Sequence, residues 1–335
     1  MDTQHLLQRY AAGDRNFQGA NLTAANLVGA NLPHVNFSDA SLRDATLDRT
    51  HLERCFLRSA NLNGAMLVGA NLSYGKLQGA QLQAADLTKV NLQGAHLAKV
   101  NLQGARLSGA VLKWVSFFRA NLAQVNLCGA NLNGINLRGA NLAGANLNWT
   151  NLTGARLSGA NLQGAQLNGV KLENAWLNGL NLSGRDWQGL NLNQVKCNGA
   201  QLQGCQLTGI NLQRAQLRLS DLATATLKRA DLSRVDLRGG YLYQADLQQA
   251  DLQEAHLIGA NFNRVDLALA NLRGADLSEA SLQEASLVGA NLDGACLRGA
   301  DLRGANLQDA RIRGANLQEA LLTGTTMPDG KISAL

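Results

Sequence analysis

The sequence lacks the features of a membrane-spanning or secreted protein. Polar residues recur in every stretch of five, so no run of about eighteen apolar residues could form a membrane helix. Residues 1–5 show neither the basic region nor the apolar core of a secretory signal. The cysteines are five, an odd number, and Cys55, Cys197 and Cys205 fall at inward positions, which favours buried thiols over a disulfide framework. We therefore expect a soluble, cytoplasmic protein that does not contact a membrane.

The sequence also lacks a catalytic or metal-binding constellation. It contains no Cys-x-x-Cys motif and no phosphate-binding G-x-x-x-x-G-K-[ST] loop, and its five histidines are scattered. Long loops, which usually carry active sites, are missing as well. We expect no enzyme activity, no catalytic residues, no metal site and no cofactor.

A repeat of five residues occupies almost the whole chain. From Phe17 to Met327 every fifth residue is an apolar centre, which gives 63 pentads without insertion or deletion, most of them written Ala-Asn/Asp-Leu-x-x. The small residue and the central Leu are two positions apart, so in an extended strand both point to one side and the residue between them points out. A spacing of five would drift around a helix. The pattern predicts an all-β stack of repeated units.

The Ala-Asn/Asp-Leu-x-x pattern resembles the pentapeptide-repeat family over 311 of the 335 residues, and the two ends are similar to cyanobacterial members. The resemblance implies a right-handed quadrilateral β-helix with four pentads per coil, and hence about 16 coils. Residues twenty apart would then stack, and the five asparagines at every twentieth residue from Asn101 to Asn181 could hydrogen-bond along the stack.

The two ends of the chain are expected to differ from the repeat. Residues 3–12 read as a short capping helix with Leu6, Leu7 and Tyr10 on one side. A Met-Pro-Asp-Gly sequence after residue 326 ends the register. The predicted organisation is an N-terminal cap at 1–14, a single β-solenoid at 15–327 and a tail at 328–335.

One side of the predicted coil departs from the repeat more than the others. We call it the fourth side: its outward strand positions are residue 16 and every twentieth residue after it, followed in each case by two corner residues. Asn or Asp occupies only 6 of these 16 strand positions, and basic and aromatic residues replace it. Trp and Arg are enriched at binding hot spots. The predicted partner-binding residues are Lys99, Phe118, Arg119, Arg138, Arg156, Trp176 and Lys196.

The positive charge is concentrated in the middle of the chain. Residues 1–86 carry seven basic and seven acidic residues, residues 87–172 carry eight basic and no acidic residues, and residues 173–335 carry fifteen and seventeen. A local positive field steers acidic partners toward it. We therefore predict a non-enzymatic scaffold or regulator, monomeric or weakly dimeric, whose fourth side binds an acidic protein.

Other interpretations of the same features stay open at this point. The basic side could be solvated surface only. The family resemblance also suggests gyrase binding by DNA mimicry. Such mimicry needs negative charge along the repeat, whereas the middle of this chain is positive. Non-specific nucleic-acid binding would depend steeply on salt, but the chain has no strongly basic runs.

A second irregularity lies at residues 180–197. Leucines stand in place of small inward residues, an arginine takes an inward position, and a tryptophan and a cysteine replace the central Leu. We expect this coil to bulge so that the arginine reaches solvent; a binding notch is the alternative. The residues are Leu180, Arg185, Trp187, Leu190 and Cys197.

Overall fold

A computed structural model describes residues 1–334. Among these residues the only helix is α1, Thr3–Ala11. The rest is built from parallel bridges between single residues twenty apart, such as Asn16 with Asn36 and Asn21 with Ser41, so four bridge positions make one turn. The chain divides into two compact units, Met1–Lys171 and Leu172–Leu335, called here the first and the second unit. The all-β prediction is confirmed, whereas a single solenoid over 15–327 stays a prediction.

Most pentads bury two residues and leave the other three partly or fully exposed. In the pentad that begins at Ala60, Ala60 and Leu62 are fully buried, and Asn61 between them is partly exposed. The Leu62 N–H donates to the Gln81 carbonyl at 2.7 Å, and the Ala65 N–H donates back to the Leu62 carbonyl at 3.0 Å, closing the corner. A single pentad buries too little apolar surface to fold alone, so stability comes from the turns above and below it.

The Asn or Asp at the outward strand position has a local role at the corner. Its side-chain oxygen accepts the N–H of the residue two positions on, as Asn91 does from Gln93 at 3.0 Å and Asn71 does from Ser73 at 3.1 Å. This side chain-to-backbone bond is the one that favours Asn and Asp in turns. A strand position that has lost Asn or Asp has therefore given up a structural contact.

A column of asparagines joins successive turns of the first unit. Asn121 donates its side-chain amide to Asn101 at 3.0 Å, Asn141 donates to Asn121 at 3.2 Å, and Asn161 donates to Asn141 at 3.2 Å. The predicted hydrogen-bonded column is thus confirmed for these four residues. Each amide keeps its oxygen for the next turn, so the column can run on without an unsatisfied group.

The second residue of every corner has a left-handed backbone, which glycine adopts at least cost. Several corners nevertheless carry a large side chain at positive φ, including Tyr74 (58°) and Trp149 (60°). Each of these two rests on a glycine one turn on: a Cβ on Gly94 would lie 2.6 Å from the Tyr74 ring, and a Cβ on Gly169 would overlap the Trp149 ring. Leu219 and Leu269 of the second unit lie against Gly239 and Gly289 in the same way.

Gly169→Ala is therefore expected to destabilise the first unit by about 1 kcal/mol more than Gly129→Ala. Both positions have φ near 65°, so both substitutions introduce the same left-handed strain. Only alanine at residue 169 must also displace an indole, since nothing lies within 4 Å of a Cβ on Gly129. Urea unfolding of the two variants measures the difference, and equal midpoints would show that Trp149 does not lie on Gly169 in solution.

Helix α1 covers the first turn. Asp2 caps it by accepting the His5 N–H at 2.7 Å, Leu6 is fully buried, and the Tyr10 hydroxyl donates to the Pro33 carbonyl at 2.8 Å. The predicted capping helix is confirmed, although it ends one residue earlier than expected. The prediction that Leu7 shares the covering side is wrong, because 39% of Leu7 is exposed. Leu7 follows Leu6 by 100° around the helix and so faces away from the first turn.

The C-terminal tail folds back on the last turn. Pro328 and Gly330 end the pentad register, and Ile332 forms an antiparallel bridge with Thr326, whereas the bridges elsewhere are parallel. The Ser333 N–H then donates to the Thr325 carbonyl at 2.8 Å. The tail thus continues the hydrogen bonding of the second unit in the opposite direction.

Candidate functional site

Five of the seven predicted contact residues lie on the fourth side of the first unit. The bridges from His96 to Ser116, from Ser116 to Asn136 and from Asn136 to Arg156 stack four consecutive turns there. The remaining two, Trp176 and Lys196, lie in the second unit and are bridged to each other. The five residues brought together in the first unit are Lys99, Phe118, Arg119, Arg138 and Arg156.

Phe118 lies at the centre of this group, between two arginines. Its ring is partly buried, and the guanidinium carbons of Arg119 and Arg138 lie 5.3 Å and 5.9 Å from the ring centroid. These distances are within the range of a cation–π contact. Arg138 also donates to the Asn136 side chain at 3.3 Å, which holds its guanidinium near the ring. The arrangement offers an apolar surface flanked by two cations.

A groove of about 320 Å³ opens beside Phe118. Its volume falls at the lower end of the range for small ligand sites, roughly 300–1,000 Å³. Polar and apolar residues both line it: Gln78, His96, Leu97, Ala98, Ser116, Phe118, Asn136 and Arg138. The groove can receive one or two side chains of a partner that lies on the fourth side.

The electrostatics of this region are one-sided. No Asp or Glu occurs between residue 87 and residue 171, and that stretch carries eight basic residues. Arg106 forms an ion pair with Asp86 at 2.7 Å, but within residues 1–334 none of the other seven takes part in one. The second half of the first unit therefore presents cations whose charge is not neutralised locally.

The fourth side of the second unit is different, because an acid neutralises its arginines. Asp236 accepts from Arg218 at 2.6 Å and from Arg238 at 2.8 Å. Partial burial raises the pKa of Asp236, but the hydrogen bonds from the two arginines outweigh it and hold that pKa at about 2. Trp176 is an exposed ring with the Lys196 ammonium 3.6 Å from its centroid.

The acid stability of the second unit should depend on Asp236. Because its pKa is lower in the folded state than in the unfolded state, the stabilisation is present above about pH 4 and is lost as the pH falls toward 2. We expect Asp236→Asn to lower the free energy of unfolding at pH 7 by on the order of 1 kcal/mol, after solvent screening, and so to lower the unfolding temperature. Between pH 4 and pH 2 the variant should lose less stability than the wild type. Thermal unfolding across that range measures both effects, and parallel curves for the variant and the wild type would contradict the assignment.

The irregular coil keeps its pairing with the turn that follows it. Asp186 bridges Gln206 in register, and the Gln206 N–H donates to the Arg185 carbonyl at 2.9 Å, so the coil does not bulge toward that turn. Trp187 is buried and Arg185 is only partly exposed. Burial lowers the pKa of Arg185, which the nearby Cys205 opposes, and burial raises the pKa of Cys197 to about 12.

The two leucines of the irregular coil differ in burial, Leu180 being buried and Leu190 partly exposed. The coil is therefore filled mainly by apolar side chains and one thiol. A binding role for it stays a prediction.

One exposed pentad was missed by the sequence reasoning. The pentad Ala110-Val-Leu-Lys-Trp has Val111 at the outward strand position and Trp114 at the left-handed corner, where Asn and Gly are usual. Trp114 is 67% exposed, and the Lys113 ammonium lies 4.5 Å from its ring centroid. The two departures in one pentad were the signal, but sorting residues by strand position alone did not reveal the exposed Trp114 at the corner.

Metal-ligand clusters and membrane-spanning helices are both absent from residues 1–334. Among residues 1–334, no three His, Cys, Asp or Glu side chains come together as metal ligands would. No helix in the described part of the chain has the length and apolar character needed to span a membrane.

The sequence matches a family model described as pentapeptide repeats. The matched segments run from residue 16 to residue 324, apart from residues 75, 114–119 and 240. The gap at 114–119 contains Trp114, Phe118 and Arg119. No curated protein sequence matches the chain significantly.

Three solved structures are similar to the chain to different degrees. HetL, a pentapeptide repeat protein involved in heterocyst differentiation regulation in the cyanobacterium Nostoc sp. strain PCC 7120, is 30% identical over 99% of this chain and 100% of its own, with a TM-score of 0.22. Rfr23 from the cyanobacterium Cyanothece 51142 is 26% identical over 52% and 98%, with a TM-score of 0.21. The plasmid-mediated fluoroquinolone resistance protein QnrB1 is 17% identical over 58% and 90%, also with a TM-score of 0.21. The family relationship rests on the repeat model and on the 30% identity with HetL.

Proposed function

This chain belongs to the pentapeptide-repeat family, and from that premise we propose that it is a non-enzymatic scaffold or regulator that binds an acidic protein through its fourth side. Family members are generally structural or binding proteins. A regulatory role, such as the one stated for HetL, is part of the proposal. So are a right-handed quadrilateral β-helix of about 16 coils, a location in the cytoplasm, and a monomeric or weakly dimeric state.

One observation carries the proposal: a carboxylate-free stretch with eight basic residues contains an aromatic ring that two arginines flank. The Asn that usually satisfies the corner N–H is missing from Ser116 and Arg156. Ser116 instead accepts the Asn136 side-chain amide at 3.1 Å, and the Arg156 guanidinium has no acceptor atom with which to replace the lost contact. Arginine and aromatic residues around a groove are the usual anchors of a protein–protein contact.

The charge distribution favours a protein partner over the alternatives. DNA mimicry requires negative charge, whereas residues 87–171 carry only positive charge. Nucleic acid is bound mainly through its phosphates, with a steep dependence on salt. An acidic protein uses the same cations to approach but also buries Phe118, and that apolar contribution does not weaken when salt is added.

Affinity capture from a nuclease-treated lysate of the native host tests the proposal. The immobilised wild-type protein is washed at about 50 and 300 mM salt, which separates a mixed apolar and ionic contact from a purely ionic one. We expect an acidic protein to be retained at both concentrations. Retention of nucleic acid alone in an untreated lysate, with loss of all bound material at the higher salt, would contradict the proposal.

A further inference from the structure

The parallel ladder of the first unit is interrupted at one point. Val111 is bridged to Asn91 behind it, and Asn131 is bridged to Asn151 ahead of it, but no bridge joins Val111 to Asn131 within residues 1–334. The Val111 N–H donates to the Val90 carbonyl at 2.9 Å, so this strand position is paired with the preceding turn but not with the following one. Arg106 and Ser116, on the neighbouring sides, are bridged in both directions. The two facing strands thus present open edges to each other.

The backbone groups at this interruption are without their usual partners. In most turns the central residue donates to the carbonyl nineteen residues ahead, as Leu92 does to Val111 at 2.9 Å. In the described part of the chain, the backbone N–H groups of Leu112, Trp114 and Asn131 donate no hydrogen bond to a backbone carbonyl of a neighbouring turn. Between the strands lies a cleft of about 620 Å³, lined by residues 110–114, Asn131 and Asn133. Open strand edges are templates for pairing with another segment of chain.

Trp114 differs from the other large side chains at left-handed corners. Tyr74 and Trp149 each rest on the glycine one turn on, but nothing lies within 4 Å of a Cβ on Gly134, the glycine one turn after Trp114. Its indole therefore stands at the rim of the cleft without covering the next turn. A strained backbone that holds an uncovered aromatic side chain points to a contact made with something else.

We propose that this cleft binds an extended acidic peptide segment, which pairs with the open edges as an added strand and is covered by Trp114. Main-chain pairing supplies affinity in this mode of recognition, and side chains beside the strand supply specificity. Lys113 at the rim and the absence of any Asp or Glu from residues 87–171 select for carboxylates. The inference rests on the proposed function only for the acidic character of the partner, because the cleft lies next to the fourth side and not on it.

Hydrogen exchange with a defined peptide tests the cleft directly. The probe is a capped hexapeptide of alternating Glu and Val, and the same peptide with Lys for Glu is its control. Without peptide, we expect the amides of residues 112, 114 and 131 to exchange at least tenfold faster than those of Leu92 and Gly94, which are paired. With the Glu peptide, the same amides should slow by tenfold or more.

A matched pair of variants ties the protection to the indole. Trp114→Gly should abolish the effect of the peptide without loss of thermal stability, because glycine relaxes a corner with φ of 62°. Trp149→Gly removes an equally exposed indole at φ of 60° elsewhere in the first unit and should leave the effect intact.

Three results would overturn the proposal: slow exchange of the cleft amides without peptide, no change when the Glu peptide is added, or equal protection by the Lys peptide. The test is repeated on Arg119→Glu/Arg138→Glu/Arg156→Glu. If that variant loses its lysate partner but is still protected by the peptide, the two sites are independent. If the wild type captures its lysate partner but shows no protection by the peptide, the proposed function stands without the cleft.

Discussion

Replacing Arg119, Arg138 and Arg156 together by Glu is expected to weaken partner binding by about 100-fold or more, with little change in stability. Each reversal turns an attraction into a repulsion, and three changes of on the order of 1 kcal/mol each are sufficient for that factor. All three side chains are exposed, and none belongs to an ion pair within residues 1–334. Exposed substitutions of this kind usually change the unfolding free energy by less than about 0.5 kcal/mol.

A control variant separates the fourth side from net charge. Lys89, Arg106 and Lys171 are exposed in the same carboxylate-free stretch but lie on other sides, so their replacement by Glu changes the net charge equally. Titration calorimetry with the captured partner compares the two triple variants. Equal losses of affinity would mean that only the overall field matters, and an unfolded first variant would mean that the arginines are structural.

Inserting residues after Gln124 should have opposite effects depending on the number inserted. One extra residue moves every later side chain to the other face of its strand, so nine central leucines of the first unit between residues 127 and 167 would point outward. At roughly 2 kcal/mol for each leucine, the loss exceeds the whole stability of an ordinary domain, about 5–15 kcal/mol. We expect this variant to be unfolded from the insertion onward.

An inserted pentad, Ala-Asn-Leu-Ser-Gly, should instead be accepted, because each pentad supplies the same inward pair to whichever side it occupies. It would turn Arg138 and Arg156 by one side relative to Phe118 and thereby separate the two arginines from the aromatic ring. We expect a melting temperature within a few degrees of the wild type together with a loss of partner binding. Circular dichroism and calorimetry measure the two effects, and partner binding that survives the pentad would show that the fourth side is not the contact surface.

Periodicity made the inward and outward positions predictable because every pentad obeys the same strand geometry. The buried Ala and Leu followed from spacing alone, whereas the bonds along the column from Asn101 to Asn161 followed only once residues twenty apart were taken to stack. Four sides could not be obtained that way, since a period of five is compatible with several numbers of pentads per turn. That number came from the family resemblance, and the twenty-residue bridges agree with it.

The candidate site was less predictable than the fold, because its geometry depends on the conformations of individual side chains, which the repeat does not determine. Residue numbers placed Phe118 and Arg138 on one side, but the distances between them came only from the structure. The missing bridge between Val111 and Asn131 could not be predicted, because the five-residue repeat of the sequence continues through this region without insertion or deletion. The direction of Leu7 was missed because adjacent helical residues were assigned to one face.

The coverage of both ladder ends has a consequence for self-association. Stacked strands at one short repeat are the arrangement found in amyloid fibres, and an open last turn of uniform pentads would accept the first turn of another copy as readily as its own continuation. Helix α1 blocks the first turn, and the reversed strand at Ile332 presents the wrong direction at the last. We therefore expect these two segments to limit strand pairing between copies of the protein at the first and the last described turn.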